Sequence, residues 1–551
     1  MKSITVLLLI FGYISASQAA VSLTVDGLKA TLKNKHVELN FNANAQIITA
    51  KVDGTSLQAR GASSFYLDWN NNGQGYFHPS SIHIVEQTAD RVHFYWLQKN
   101  IQKVFRIELH YIMEAGLNGV YSYAKYTNDK TYNLTLAETR TVYRFDASIM
   151  SQGTNQQRSG ILPTTKELNQ CTTIQDNTWK FPNGTYYTKY DYVAYLRQTN
   201  YQGVYGNGFG AFIISPSREY HGGGPLKQDL TVHQECLITN YFVSSHFGTP
   251  PTVAAPGWNH IYGPWLIYFP TGNNNAIMSS VVKQVTTEQS RWPYAFVKDD
   301  EYPRTRGQVS GKVHGQKSAT VVLWSSLDED FDKQQLGYLY SAETDSTGYY
   351  IITNVRPGTY RIAAYPTAGS GSDSLAESRV TLAAGAREHV ALTLNEPKNI
   401  IWSLGQANRL SNEFKYSDQP RNYKWATLLP VNLNFTIGSS DPKQDWYYAQ
   451  PPGHWSIKYQ DTADGKGRIL RVALAAVSRK PHLQVFVNGH RVGNIYYGND
   501  QSVYRSAMNS GTYYSNVFNV SAAQVVSGEN SVSIYMTLGQ IMYDVISLQR
   551  G

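Results

Sequence analysis

The stretch Val104–Asn128, VFRIELHYIMEAGLNGVYSYAKYTN, decides the fold of this 551-residue chain. Aromatic and β-branched residues alternate there with polar ones at a period of two, and Gly and Asn punctuate the alternation. The pattern recurs in AQIITAKVDGTSL (Ala45–Leu57), RVHFYWLQ (Arg91–Gln98) and YNLTLAETRTVYRFD (Tyr132–Asp146). It predicts successive strands from Val21 to about Lys298, without long helical periodicity. Such a run favours a large antiparallel β-sandwich, so we expect an all-β protein.

Two smaller β units are predicted after this sandwich. The segment WPYAFVKDDEYPRTRG (Trp292–Gly307) marks a boundary, and about seven short strands follow over about 95 residues, which is typical of an immunoglobulin-like sandwich. A third alternating unit begins at EPKNIIWSLGQANR (Glu396–Arg409), and we expect a jelly-roll sandwich of the carbohydrate-binding type. The predicted domains are residues 20–298, 299–396 and 397–551.

The N-terminus, MKSITVLLLIFGYISASQAA, has one basic residue, an apolar run and then small and polar residues. This order is typical of a secretory signal peptide, here residues 1–19 with cleavage after Ala19. We therefore expect a secreted, extracellular protein. No later stretch approaches the roughly 20 apolar residues of a transmembrane helix, so no membrane association is predicted.

Composition favours carbohydrate over nucleic acid as a partner. The chain holds 41 Tyr, 19 Phe and 11 Trp but only 16% charged residues, and aromatic faces stack on sugars while their polar tips bond hydroxyls. Lys and Arg outnumber Asp and Glu by 48 to 40, which suits an acidic polysaccharide or serves solubility alone. Cys171 and Cys236 provide neither a disulfide framework nor a metal cluster, and the sequence leaves their pairing open.

Several hydrolytic signatures are absent from the sequence. We find no Gly-x-Ser-x-Gly elbow, no His-Glu-x-x-His zinc helix and no Walker loop. A glycosidase would need two facing carboxylates, which the sequence neither shows nor excludes.

Two arginines lie four residues apart in AETRTVYRFD. On a strand, even spacing sends Arg140 and Arg144 to the same face, where two guanidinium groups can clamp a carboxylate with forked hydrogen bonds. The alternative is a solvated strand face with salt bridges to Glu138 and Asp146.

Lys189 lies in NGTYYTKYDYVAY, which the pattern predicts to be an aromatic strand. A lysine among aromatic residues usually extends its ammonium group to the surface. If Lys189 is instead partly desolvated near arginines, both effects lower its pKa below the free value of about 10.4. It could then act as a base.

His246 ends the predicted strand LITNYFVSSH, five residues after Tyr241. A histidine that titrates near neutrality is a natural acid for protonating a leaving oxygen, although a lone histidine at a strand end is more often structural. His233 and His221 are equally eligible on composition. The glycines Gly222–Gly224 would let the chain turn close to a ligand.

Taken together, these segments resemble the rhamnogalacturonan lyases of polysaccharide lyase family 4. The resemblance follows the order and spacing of motifs over nearly the whole chain, namely ETRTVYRFD, QQRSGILPT, GTYYTKYDY, PSREYHGGGPLKQDLTVH, SSHFGT, GWNHIYGPW and GYYIITNVRPGTYRIAAY. It implies a catalytic β-sandwich, a fibronectin III-like module and a carbohydrate-binding-like jelly roll. The implied reaction is β-elimination at rhamnosyl–galacturonic acid bonds of the pectin rhamnogalacturonan I backbone.

The same resemblance assigns roles to individual residues. It implies that Lys189 is the catalytic base and His246 the catalytic acid. It places substrate binding at Arg140, Arg144, Tyr241 and Arg158. Fungal members carry a second tyrosine where this chain has Thr239.

The resemblance also implies partners and cofactors. We expect no catalytic metal, because arginine replaces the calcium that other pectin lyases use to neutralise the uronate, while a structural calcium in the jelly roll stays open. The expected partner is rhamnogalacturonan I, with no nucleic acid or membrane, and the expected oligomeric state is a monomer. The alternatives are a pectin-binding protein without catalysis and a hydrolase of the same polymer.

Overall fold

The computed structural model describes residues 20–59, 65–71, 73–99, 101–370, 375–417, 428–503, 505 and 508–551. Strands take up 52% and helices 7% of it, which confirms the all-β prediction. The predicted signal peptide lies outside the described residues. No helix in the described part of the chain has the length and apolar character needed to cross a membrane.

Strand pairing divides the described chain into three groups. The N-terminal group contains β1 (Ser22–Asp26), β2 (Lys29–Lys33), β3 (Val37–Phe41), β4 (Ile47–Val52), β5 (Thr55–Ser56), β6 (Tyr66–Asn70), β7 (Gln74–Tyr76), β8 (Ser81–Gln87), β9 (Arg91–Gln98), β10 (Arg106–Glu114), β11 (Gly119–Thr127), β12 (Leu134–Leu136), β13 (Glu138–Arg144), β14 (Gln152–Thr154), β15 (Ser159–Ile161), β16 (Thr172–Gln175), β17 (Thr178–Lys180), β18 (Tyr186–Thr188), β19 (Val193–Tyr195), β20 (Tyr201–Gly206), β21 (Phe209–Ile214), β22 (Gln228–Leu230), β23 (Val232–His233), β24 (Leu237–Ser244), β25 (Thr252–Ala254) and β26 (Asn259–Tyr268). Helices α1 (Thr165–Leu168) and α2 (Asn274–Arg291) and 3-10 helices at Lys189–Tyr192 and Leu196–Gln198 belong to the same group.

The N-terminal group is built around an antiparallel sheet of nine strands in the order β15-β14-β20-β21-β26-β11-β10-β9-β8. Two five-stranded sheets, β1 to β5 and β23-β24-β13-β6-β7, contribute to the same hydrophobic core. Across the layers, Phe242 of β24 packs on Trp265 of β26 with ring centroids 5.2 Å apart, and the Trp265 indole donates to Tyr143 Oη of β13 at 3.2 Å. The predicted large sandwich is therefore present.

Helix α2 corrects the expectation that long helices are absent from this region. Asn273 caps it, with Oδ1 accepting from the backbone N–H of Ala276 at 3.0 Å. Its apolar stripe, Ile277, Val281 and Val285, packs on the outer face of the nine-stranded sheet. The apolar residues Ile277, Met278, Val281, Val282 and Val285 recur at helical spacing, so the sequence carried the signal for this helix.

The middle group forms two four-stranded sheets, with β34 also paired to β27, around its own core. Its strands are β27 (Gly307–Gly315), β28 (Ala319–Trp324), β29 (Leu339–Glu343), β30 (Tyr349–Val355), β31 (Gly358–Pro366), β32 (Ala376–Leu382), β33 (Arg387–His389) and β34 (Leu392–Leu394). The strands pair antiparallel except that β27 pairs in parallel with β33 and β34.

The C-terminal group is one eight-stranded arrangement. It contains β35 (Ile400–Gly405), β36 (Asn432–Thr436), β37 (Ala449–Gln450), β38 (Gly453–Asp461), β39 (Arg468–Val487), β40 (His490–Tyr496), β41 (Tyr514–Val520) and β42 (Gly528–Arg550), with α3 (Pro442–Asp445) and a 3-10 helix at Ala522–Gln524.

Two long strands give the C-terminal group its two layers. The first half of β39 pairs with β41 and the second half with β40, while β42 pairs first with β38 and then with β35. Strand β39 changes its pairing partner from β41 to β40 near a register shift between Ser478 and His482. Arg479 and Lys480 have φ of 56° and 54° there. Such bulges bend a strand, so each long strand serves both layers.

A buried carboxylate joins the N-terminal and middle groups. Glu219, in the loop after β21, accepts from Arg306 Nη1 at 2.5 Å, Arg356 Nε at 2.8 Å and Tyr340 Oη at 2.7 Å. The side chains of the three charged residues are at most 5% exposed. Burial raises the pKa of Glu219, but the charges of Arg356 and Arg306 outweigh it and lower that pKa to about 2.

We predict that Glu219→Gln lowers the free energy of unfolding by about 3–5 kcal/mol, because it leaves Arg306 and Arg356 buried without their counter-ion. The stabilisation from this carboxylate is complete above its ordinary pKa of 4.5 and is lost as the pH falls toward 2. Thermal and denaturant unfolding between pH 3 and pH 7 measures both effects.

The control for this prediction is Glu377→Gln, which removes a surface ion pair with Arg361 and should cost less than about 1 kcal/mol. An equal loss in both variants would contradict the role assigned to Glu219.

Candidate active site

The candidate site lies on the five-stranded sheet β23-β24-β13-β6-β7, where cationic side chains gather. In the central strand β13, Arg140 pairs with Tyr241 of β24 on one side and with Asp68 of β6 on the other. A register irregularity in the β13–β24 pairing falls between Thr139 and Arg140. The sheet thus fixes the backbone of Arg140 between an aromatic and an acidic neighbour.

The Arg140 guanidinium is held on several sides. Nε and Nη2 donate to the two carboxylate oxygens of Asp68 at 3.0 and 3.1 Å. Nη1 donates to Tyr241 Oη at 2.5 Å and lies 3.4 Å from Glu138 Oε1. Burial lowers the pKa of Arg140, but the interactions with Tyr241 and Asp68 outweigh it and raise that pKa. The fork predicted to clamp a ligand carboxylate is therefore occupied by Asp68, and Arg140 acts as a fixed positive charge.

Arg144 has more donor capacity for a ligand than Arg140. Its Nη2 donates to Tyr66 Oη at 3.0 Å, and the guanidinium lies 5.7 Å from the Tyr66 ring centroid. Its Nε is buried and has no hydrogen-bond partner among the described residues. Tyr66 and Asp68 are two residues apart on β6, so their side chains lie on the same face of the sheet. Arg144 and Arg140, which bond to them, therefore lie on that face as well. Arg144 as a whole is only partly buried and has no carboxylate partner among the described residues, which makes it the better candidate for binding a carboxylate.

Lys189 begins a 3-10 helix, Lys189–Tyr192, and not the predicted strand. Thr188 caps this helix: Thr188 Oγ1 accepts from the Tyr190 N–H at 3.3 Å, and Asp191 Oδ2 accepts from the Thr188 N–H at 3.1 Å. The spacing of Thr188 and Asp191 is a capping-box signature that could have predicted the turn. The Lys189 N–H also donates to Asn177 O at 3.0 Å, so the turn is anchored to its neighbouring hairpin.

The pKa of Lys189 is lowered from its ordinary value of 10.5. Burial is the largest cause and the charge of Arg140 the next, with a smaller contribution from Arg505. Asp176 and Glu138 act in the opposite direction. The direction and the two main causes agree with the sequence-based expectation, and they favour a lysine that can give up its proton.

Arg158 supports the segment that carries Lys189. It lies in the turn between β14 and β15, and its Nη1 donates to the backbone carbonyl of Asp191 at 2.7 Å. Burial raises the pKa of Asp191 to about 6 in spite of the Thr188 N–H and the Arg158 charge. The contacts of Arg158 thus indicate a residue that positions the 3-10 helix.

His246 lies two residues beyond the end of β24, and its ring is held between polar groups. Nδ1 lies 2.6 Å from Ser244 Oγ and 3.5 Å from Asp229 Oδ1, while Nε2 lies 3.8 Å from Glu138 Oε2. The Tyr241 ring packs edge-on against the imidazole at 5.1 Å between centroids. Glu138 therefore faces both His246 and Arg140, which connects the histidine to the arginine cluster.

Asp229, which sequence reasoning missed, is completely buried beneath His246. Burial raises its pKa, but Lys227 at 3.6 Å and the contact with His246 outweigh it and lower that pKa. Lys227 also donates to Ser244 O at 2.8 Å. Lys227 and Asp229 lie two residues apart in PLKQDLTVH, and this pair of opposite charges at the start of β22 was the available signal.

The other two candidate histidines differ from His246. His221 is buried, and burial together with the charges of Arg218 and Arg197 lowers its pKa well below 6.5. Burial also lowers the pKa of His233, and the nearby charges of Lys189, Arg140 and Arg144 lower it further. Both are therefore held neutral, whereas His246 lies between two carboxylates.

The glycine run and the cysteines lie outside this arrangement. A Cβ atom on Gly222 would overlap the Gln334 carbonyl oxygen, and Gly224 packs on Asp332, so the run turns against the middle group. Cys171 and Cys236 are both free. Burial raises the pKa of the Cys236 thiol to about 12.

One set of metal-ligand side chains gathers among the described residues: Glu108, His110 and Asp299. Lys125 Nζ already lies 2.9 Å from Asp299 there and supplies a cation. In the C-terminal group, Asp461 and Asp464 surround the buried guanidinium of Arg468 at 2.8 and 3.0 Å, an oxygen-rich turn that also holds a cation from the chain. A structural calcium stays a prediction.

We predict that Lys189 titrates below the ordinary lysine value of 10.5, because burial and Arg140 destabilise its ammonium form. Reductive ¹³C-methylation followed by NMR titration measures this, with the resonance assigned by its loss in Lys189→Arg. A titration at or above 10.5 would contradict the electrostatics of this site.

Comparisons with known proteins agree with the middle and C-terminal groups. The family description "Polysaccharide lyase family 4, domain II" matches residues 305–390, and "Polysaccharide lyase family 4, domain III" matches residues 400–548. A rhamnogalacturonate lyase of Dickeya dadantii is 38% identical over 560 aligned residues, covering 98% of this chain and 97% of that protein.

Fungal relatives are more distant. A probable rhamnogalacturonate lyase B of Aspergillus niger is 26% identical, and the match covers 62% of this chain and 54% of that protein. A probable rhamnogalacturonate lyase B of Aspergillus terreus is 24% identical, and the match covers 80% of this chain and 74% of that protein. The near full-length similarity to the bacterial lyase and the matches to two successive family domains show that this chain belongs to polysaccharide lyase family 4.

Proposed function

We propose that this polysaccharide lyase is secreted and cleaves rhamnosyl–galacturonic acid bonds of the rhamnogalacturonan I backbone by β-elimination, leaving a 4,5-unsaturated galacturonate end. The names of its relatives support the polymer, and the signal-like N-terminus supports export. We further propose a monomer that needs no metal for catalysis.

One observation carries the proposed chemistry. Lys189 has a lowered pKa, and the charge that lowers it after burial belongs to Arg140. Arg140 faces Glu138, whose second carboxylate oxygen faces His246. A lysine that can be neutral, a fixed arginine charge and a histidine held by polar groups are thus neighbours in one cluster. These are the base, the anion-stabilising group and the acid that β-elimination from a uronate requires.

The first half of the reaction removes a proton next to a carboxylate. Neutral Lys189 takes H5 of galacturonate, and the electrons of the broken C5–H bond are delocalised into the adjacent carboxylate. Arg144, which is partly exposed and has no carboxylate partner among the described residues, binds that carboxylate, and the fixed charge of Arg140 stabilises the developing enolate. The acidity of H5 rises because the negative charge moves toward these two guanidinium groups.

The second half expels the neighbouring sugar. The C4–O4 bond breaks, its electron pair goes to O4, and the C4–C5 double bond forms from the electrons of the former C5–H bond. His246 donates the proton that O4 needs, so the rhamnose leaves as an alcohol and not as an alkoxide. No water adds to the sugar, and no pair of catalytic carboxylates is needed.

We expect the chain to raise ultraviolet absorbance on rhamnogalacturonan I, because the new double bond is conjugated with the uronate carboxylate, and not on homogalacturonan. Binding without an absorbance rise would identify a pectin-binding protein instead. A rise on homogalacturonan would support β-elimination but contradict rhamnogalacturonan I as the substrate. Saturated products would indicate a hydrolase.

We predict that Lys189→Ala and His246→Ala each lower kcat by about 10²- to 10⁴-fold, since each removes a proton-transfer group. The matched controls are Lys283→Ala and His490→Ala, which change exposed residues away from the cluster and should retain normal rates. Circular dichroism checks folding. A variant with a near-normal rate would remove that residue from the mechanism.

A further inference from the structure

A loop of the C-terminal group reaches the candidate active site. The Met508 N–H donates to Gln228 Oε1 at 2.8 Å, and Gln228 Nε2 donates to Ser510 O at 2.6 Å. Ser510 Oγ also lies 2.9 Å from Tyr195 Oη. Gln228 and Tyr195 lie on the paired strands β22, which contains Asp229, and β19, which follows the Lys189 turn. The loop therefore packs directly against the elements that carry the site.

Asp500 holds the described ends of this loop. Its carboxylate accepts from the backbone N–H groups of Val477 at 2.9 Å, Ser502 at 2.8 Å and Thr512 at 2.9 Å. Burial nevertheless raises the pKa of Asp500 to about 6. Gly248, two residues after His246, lies against Asp500 so closely that a Cβ atom there would be 2.7 Å from Asp500 Cβ. The loop is thus a built element pressed onto the histidine segment.

Arg505 extends from this loop between the two catalytic candidates. Its Nε lies 3.1 Å from Asp176 Oδ2, and its Nη1 donates to the backbone carbonyl of His246 at 3.0 Å. The guanidinium lies 5.2 Å from the ring centroid of Tyr190, the residue after Lys189. One side chain of the C-terminal group therefore touches the segments of both Lys189 and His246.

Asp176 is the acidic group that Arg505 neutralises. Tyr190 Oη and Asn177 Nδ2 donate to its two oxygens at 2.7 and 2.6 Å. Burial raises the pKa of Asp176, but the Tyr190 and Asn177 hydrogen bonds and the charge of Arg505 outweigh it, so the carboxylate stays ionised. An ionised Asp176 favours the ammonium form of Lys189, whereas Arg505 disfavours it.

We propose that Arg505 is a positioning residue through which the C-terminal group tunes the catalytic base: by pairing with Asp176, it prevents that carboxylate from holding Lys189 protonated. The C-terminal group is then part of the catalytic apparatus and not only a sugar-binding appendage. This inference rests on the proposed function in that it takes Lys189 as the base. It extends that function by naming the interdomain ion pair that sets the protonation of the base.

Charges from several elements act on the pKa of Lys189 together with the Asp176–Arg505 pair. From β13, Arg140 disfavours the ammonium form and Glu138 favours it. From β23, His233 is held neutral and adds no charge. Asp176, before β17, and Arg505, from the C-terminal group, complete the set. Removing one member of this pair leaves the opposite effect of the other on Lys189 in place, so Arg505 and Asp176 variants must shift the pKa of Lys189 in opposite directions.

The test compares Arg505→Gln, Asp176→Asn and the double variant with the unmodified full-length protein. Two readouts are used: the acid limb of the pH profile of kcat/KM on rhamnogalacturonan I, and the NMR titration of ¹³C-dimethylated Lys189. Arg491→Gln, an exposed arginine of β40 in the same group, is the matched control. Unfolding curves of all variants report whether the C-terminal loop stays docked.

We expect Arg505→Gln to move both readouts to higher pH by about one unit and Asp176→Asn to move them to lower pH, with the double variant close to the unmodified protein. Arg491→Gln should move neither. A loss of thermal stability or a higher KM in Arg505→Gln without a pH shift would show a merely structural role and overturn the proposal. So would a shift of Asp176→Asn in the same direction as Arg505→Gln.

The two readouts separate this proposal from the proposed function. If the unmodified protein produces no unsaturated ends, the proposed function fails, and the NMR titration still decides whether the Asp176–Arg505 pair controls Lys189. If the protein is an active lyase but its acid limb and the Lys189 resonance ignore both variants, only the present inference fails.

Discussion

The ion pair between Arg140 and Asp68 is the interaction on which the site depends. Asp68 accepts two hydrogen bonds from one edge of the guanidinium, so the position of the Arg140 charge is fixed before a ligand binds. From that position Arg140 meets Glu138, which also faces His246, and it lowers the pKa of Lys189. Because a half-buried charge is weakly screened, this one placement influences both ends of the proposed proton transfer.

The chain compensates its concentrated positive charge with acids supplied from elsewhere in the sequence. Asp229, completely buried, lies beneath His246, and Asp176 lies beside the Lys189 turn. Each acid needs a cation of its own, and these cations are Lys227 and Arg505. Since burying an unpaired charge is costly, each pair constrains the segments that carry its two members. The catalytic candidates are therefore oriented by a network of paired charges.

Similar pairing joins the three strand groups into one functional unit. Glu219 of the N-terminal group is buried between Arg306 and Arg356, which fixes the middle group. Arg505 brings the C-terminal group to the Lys189 and His246 segments. Domain interfaces of this kind are usually polar and permit relative motion. Here, a buried ion-pair cluster at one interface and a partly exposed ion pair at the other restrict that motion.

The sequence by itself determined the all-β class, because alternation at a period of two reports which face of a strand is buried. It also determined that Arg140 and Arg144 share a face, and motif order identified the family. Tertiary structure alone decided that the Asp68 carboxylate accepts the forked hydrogen bonds of Arg140 and that Lys189 begins a 3-10 turn. It also decided that Arg505, more than 250 residues beyond His246 in the sequence, contacts the site. Periodicity records local burial, whereas charge pairing depends on distances between segments that only the folded chain brings together.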